Sequence, residues 1–125
     1  MNTMILSENK HGGTRRIMAV DAPSHGNAHH EYAVMFESES GNSGFPVATI
    51  RFQKGAVKEP GSVNGLFNED LLAIVANRLL CFQTSSFACR ENAEALEAVQ
   101  TALRVLAERT ARRTQAGTEG THQGK

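Results

Sequence analysis

The sequence has no tryptophan, a single tyrosine, only two cysteines and three prolines, and no net charge. It also lacks any apolar run approaching the ~20 residues that a membrane-spanning helix needs, which excludes an integral helical membrane protein. Two cysteines, Cys81 and Cys89, are too few for a disulfide scaffold. Set among helix-forming residues, they are expected as buried thiols. Thirteen basic residues balance thirteen acidic ones, so the net pull that drives nonspecific binding to duplex DNA or anionic membranes is missing. The N-terminal MNTMILSENKHGG has a short apolar patch but neither a basic leader nor a small-residue cleavage site, and an intracellular protein is expected. No GxSxG, HExxH, Walker A or CxxC motif occurs. A nucleophile, a base and oxyanion donors cannot be assigned together, so an enzyme is not supported.

What is present fits a globular chain. Hydrophobic residues make up 40% of the 125 and charged residues 21%, a balance that opposes wholesale disorder and predicts one domain over 1–125. Six phenylalanines carry the aromatic burial. A core of this size is marginal for one protomer, and oligomerisation is expected.

The chain changes character near Pro60. Before it, turn-forming residues separate short apolar segments, and a sheet part is expected over about 14–60. Residues 14–20 read as a strand, followed by the loop DAPSHGNAHH. Tyr32, Val34 and Phe36 alternate with Ala33, Met35 and Glu37 in a second strand. After a turn at 39–44, residues 47–52 form a third strand, hairpinned antiparallel to the second. Beyond the Gly- and Pro-punctuated loop at 57–66 the period becomes helical. Asn68 is a good N-cap, with Glu69 and Asp70 in the first turn where the helix dipole favours negative charge. Leu71, Ile74, Val75, Leu79 and Phe82 fall on one face of a helix over 69–82. A break at 84–86 supplies Ser85 or Ser86 as the next cap. In a second helix over 87–114, Cys89, Leu96, Val99, Leu103, Leu106 and Thr110 recur at heptad-like spacing. So short a break makes the helices an antiparallel hairpin over about 68–116. Gly117 and Gly120 end it, and 117–125 is a polar tail. The fold class is α+β, a small N-terminal antiparallel sheet followed by a C-terminal helical hairpin.

Two groups of residues carry chemistry. Arg104, Arg109, Arg112 and Arg113 cluster late in the second helix, with Arg109 and Arg113 at i,i+4 spacing. Paired guanidinium forks suit phosphate oxygens, and they equally suit a solvated helix end that complements the dipole. Phe82, Gln83, Phe87, Arg90 and Asn92 surround the hairpin turn. A ring stacks on a base and an asparagine both donates to and accepts from a base edge, but the two phenylalanines also suit the plug of a turn. Asn92 and Arg109 lie 17 residues apart, about 25 Å along one helix, beyond the reach of one small ligand within one chain. If they share a pocket, it lies between protomers. His25, His29 and His30, beside Asp21 and Glu31, resemble a metal set. The intervening Gly26 and Asn27 read as loop, however, which leaves loop or ligand-contact histidines and no metal.

Several blocks together resemble the phage family of Thoeris anti-defence proteins of the first type, whose helical hairpin is shared with the type-two anti-CBASS sponges. The blocks are GNAHHEY at 26–32, FQKGAVKEPGSVNG at 52–65, NEDLLAIVANRL at 68–79, FQTSSFACREN at 82–92, and ERTARR with GTEGTH within 108–122. Pro60 and the additional Ser62 depart from the usual loop. The resemblance implies a cytoplasmic protein of the infected host cell that binds cyclic nucleotide immune signals without cleaving them. Those signals are cyclic ADP-ribose isomers, and in some relatives cyclic dinucleotides and trinucleotides. It implies a dimer or hexamer, no cofactor, and neither membrane nor nucleic acid as partner. Carried over by residue, Phe82 stacks on the base, Asn92 bonds it, Arg109 and Arg113 hold phosphates, and a basic residue of the 54–58 loop, Lys58 before Lys54, assists. Arg90 takes a separate trinucleotide pocket. The competing class is an oligomeric nucleic-acid-binding regulator using the same arginines, which zero net charge and the lack of a recognised motif oppose.

Overall fold

The computed structural model describes residues 4–10, 12–40, 45–57 and 59–115. They form two compact units, one holding the sheet and the other the two helices.

The sheet is a four-stranded antiparallel meander of β1 (Met4–Lys10), β2 (Gly13–Ala19), β3 (Glu31–Ser38) and β4 (Phe45–Arg51), in that spatial order. Three of these strands match the expected ones to within a few residues. β1 was not expected. Its Ile5-Leu6 pair is followed by polar SENK, which has no strand alternation, and the strand exists through pairing with β2. Register places Ile17 opposite Val34 and Tyr32 opposite Ile50, so one face carries β-branched and aromatic pairs. The Arg15 guanidinium closes that face over the Phe36 ring, 4.7 Å from its centroid. On the opposite face Arg16 bonds Glu8 at 2.7 Å and approaches Glu37 at 3.9 Å. Register shifts fall after Ile5 in β1 and opposite the Val34–Met35 step in β3, so both edge strands are irregular. Irregular edges oppose strand-to-strand aggregation. Ala19 is fully buried.

The helical unit consists of α1 (Asn68–Gln83) and α2 (Arg90–Gln115). Apart from Ala102, the residues of α2 withdrawn from solvent are Asn92, Leu96, Val99, Leu103, Leu106, Thr110 and Arg113, alternately four and three apart. The answering stripe of α1 is Glu69, Leu72, Ala76, Leu79, Gln83, and the two helices pack on each other. Spacing of 3.5 residues is that of coiled-coil seams. The expected face of α1 is corrected: Leu71 and Leu79 are half-buried, but Ile74, Val75 and Phe82 are exposed. Apolar residues surround most of α1, so periodicity alone does not single out one side.

The caps also differ from expectation. Asn68 lies inside the first turn of α1; the residue before it, Phe67, has its amide held by the Asp70 carboxylate at 2.8 Å. Neither Ser85 nor Ser86 caps α2, which begins at Arg90. The Sγ of Cys89 accepts the Asn92 amide at 3.4 Å, the bond a capping hydroxyl would make. Cys89 is therefore no buried thiol; it and Cys81 are both free and exposed. The expected turn residues 41–44, Lys58 and the polar tail lie outside the described residues.

Candidate ligand-binding site

In the sheet unit, the loop between β2 and β3 is organised by Asp21. Its carboxylate accepts the His30 amide at 3.0 and 3.2 Å and the Glu31 amide at 3.1 Å. Desolvation pushes this carboxyl up, yet those amides, with His29 beside it, hold it below its usual value of 3.8. His29 Nδ1 bonds the Asp21 carbonyl at 2.6 Å, and Ser24 Oγ bonds His30 Nδ1 at 3.1 Å. Burial pushes the His30 imidazole below 6.5, with His25 and Lys54 adding to the effect and Asp21 opposing it. The segment His25–Asn27 is a 3₁₀ turn in which Gly26 and Asn27 take φ of 68° and 59°. The histidines are thus tied into the loop's own framework. Among the described residues no group of three His, Cys, Asp or Glu can hold a metal ion.

The hairpin tip is the second cluster. Phe82 lies in the last turn of α1 with its ring at 6.5 Å and 77° from that of Phe87, and the Arg78 guanidinium lies 5.4 Å from the Phe82 centroid. The Ser85 hydroxyl donates to the Phe82 carbonyl at 2.7 Å and accepts the Phe87 amide at 3.1 Å. Gln83 Oε1 accepts the Cys89 amide at 3.0 Å. Asn92 Nδ2 approaches the Phe87 carbonyl at 3.5 Å, which leaves the side chain one N–H and an oxygen for a base edge. Phe82 and Asn92, singled out from sequence, are therefore joined through Phe87. Arg78 and Ser85 were missed, although the i,i+4 spacing of Arg78 to Phe82 was a usable signal.

Arg90 stands beside this tip but turns to acids on its own helix, 3.5 Å from Glu91 and 3.6 Å from Glu94, with its side chain 80% exposed. At the far end of α2, Arg104 is paired with Glu108 at 2.8 Å. Arg109 is exposed and ion-pairs with none of the described residues, while Arg113 is half-buried at the end of the packed stripe. The 17-residue separation holds Asn92 and Arg109 about 25 Å apart on one continuous helix. One chain thus has an aromatic–amide cluster at one end of α2 and cations at the other.

A small sheet followed by a helical hairpin with an aromatic–amide tip and a cationic far end defines a hairpin-bearing α+β class. The chain belongs to the Acb2/Tad1 hairpin-domain family, whose sequence model matches residues 46–111. It is 53% identical over 77 residues to a protein of Bacillus phage SBSphiJ7 named "Thoeris anti-defense 1". That match takes in 62% of this chain and 54% of the phage protein, so the chain spans about half the length of the curated relative it matches.

Proposed function

We propose that this chain is a phage anti-defence sponge, which binds cyclic nucleotide immune signals inside the infected bacterial cell and holds them without cleaving them. The observation that carries the proposal is the tip of the family's hairpin, where an aromatic ring and a half-buried asparagine are bonded into one frame. Phe82 stacks on the base and Asn92 bonds its edge. Arg109 and Arg113 hold the phosphates, assisted by Lys58. Cyclic ADP-ribose isomers are the first ligands expected, and cyclic dinucleotides and trinucleotides the next, with Arg90 serving trinucleotides. Because Asn92 and Arg109 are about 25 Å apart on one helix, a complete pocket draws them from two copies of the chain, in a dimer or a hexamer.

Incubation with cyclic ADP-ribose, heat denaturation and chromatography of the released nucleotide test this. A sponge returns the ligand intact. A hydrolase returns product, and a nucleic-acid-binding regulator returns none because it bound none; either result overturns the proposal.

A further inference from the structure

The helical hairpin exposes large apolar side chains, and the most exposed of these is Phe87, at 72% of its surface, in the turn of the hairpin. Beside a second exposed ring, that of Phe82, it offers an apolar surface on which a contact can form. Three observations give that contact a shape. The Phe87 ring stands nearly perpendicular to Phe82, at 77° with centroids 6.5 Å apart, so the two rings form a corner. The Arg78 guanidinium lies over the Phe82 ring, 5.4 Å from its centroid, in a cation–π contact. One hydroxyl, Ser85 Oγ, bonds the backbone of both residues, to the Phe82 carbonyl at 2.7 Å and from the Phe87 amide at 3.1 Å. The backbone that carries the two rings is therefore held before any ligand arrives, and preorganisation of this kind lowers the ordering cost of binding.

We infer that Phe87 is a second wall of the base site and makes the site selective for purines, with Ser85 as the residue that positions the two rings. The inference rests on the sponge function proposed above. A fused two-ring purine is long enough to lie on Phe82 and present its edge to Phe87, an edge-to-face contact that aromatic systems favour. A single-ring pyrimidine covers Phe82 and falls short of Phe87. Arg109 and Arg113, at the other end of α2, meet the same phosphates in either case and do not discriminate.

Calorimetry on the full chain tests this with three probes: cyclic ADP-ribose and cyclic di-AMP, which carry purines, and cyclic di-UMP, which carries the same phosphodiester ring on pyrimidines. Wild type is expected to bind cyclic di-AMP more tightly than cyclic di-UMP. Phe87→Ala is expected to weaken both purine probes about tenfold and leave cyclic di-UMP nearly unchanged. Ser85→Ala keeps both rings and is expected to lose part of the same selectivity, with Ser85→Thr restoring it. Wild type that binds none of the three probes overturns the sponge function itself. Wild type that binds, with Phe87→Ala equal to it or equally weakened for purine and pyrimidine, overturns the second wall alone. A Phe87→Ala chain with a changed oligomeric mass by native mass spectrometry would assign the ring to contact between copies, and that also overturns it.

Discussion

Asp21 carries more of the sheet unit's order than its single charge implies. Two backbone amides, of His30 and Glu31, end on its carboxylate just where β3 begins. Asp21→Ala leaves those donors without their acceptor, at a cost of about 1–3 kcal/mol measurable by thermal denaturation, and Asp21→Asn, which keeps one oxygen, costs less. The same loop gives stability a pH dependence. The folded-state value of Asp21 lies below 3.8, so its stabilisation is complete above that value and is lost as the pH falls through the lowered one. The folded-state value of His30 lies below 6.5, so the unfolded chain takes up this proton first. Stability therefore falls as the pH drops below 6.5 toward that lower value. Both effects have the same sign, and melting followed by circular dichroism from neutral to acid pH is expected to show two successive losses. His30→Gln removes the first and keeps the second. Gly13 is a different kind of constraint. It takes φ of 151°, and a Cβ there would meet the Glu37 carbonyl oxygen and, at 2.8 Å, the Phe36 ring. Gly13→Ala is expected to cost about 1–3 kcal/mol in the same assay.

At the scale of elements, the seam between α1 and α2 supports the hairpin, and its members are half-buried rather than sealed. Leu103→Ala in the middle of the α2 stripe is expected to cost about 1–2 kcal/mol, at or below the low end for buried leucines because the site is partly wet. Gln100→Ala, on the exposed side, is expected to stay within about 0.5 kcal/mol, and chemical denaturation separates the two. The stripe from Leu96 to Thr110 was legible in the sequence because α2 is polar on its other faces, and polar residues mark the period. In α1 the surplus of apolar residues hid it, so Ile74 and Val75 were assigned to a packed face that they do not occupy. β1 was illegible for the opposite reason: its polar SENK follows no strand pattern, and only its ladder with β2 makes it a strand. The Cys89 cap escaped because a thiol is a weak acceptor outside the usual capping residues, and only geometry shows it in use. Of the candidate site, the residue types at the tip were readable; the bond that orders them, through Ser85, was not.

At the scale of the whole molecule, the length of α2 poses the functional problem. A helix of 26 residues holds Asn92 and Arg109 on one rigid rod, about 25 Å apart, whereas a cyclic nucleotide presents its base and phosphates within a few bonds of each other. Arg109→Ala removes a charge-assisted phosphate contact, and affinity for cyclic ADP-ribose is expected to fall about tenfold to a hundredfold. Asn92→Ala is expected to weaken the same ligand by loss of the base contact. If one pocket takes Asn92 from one copy and Arg109 from another, the two defects complement. In a two-fold dimer each interface patch is used reciprocally, so a mixed dimer of the two variants has one pocket with both residues intact and one with neither. Random mixing makes half the dimers mixed, and about one quarter of all pockets recover. Calorimetry on co-refolded chains, with mixing verified by native mass spectrometry, is expected to return about that fraction of wild-type capacity at wild-type affinity. Mixed dimers that regain no capacity would assign Asn92 and Arg109 to separate sites and end the composite pocket.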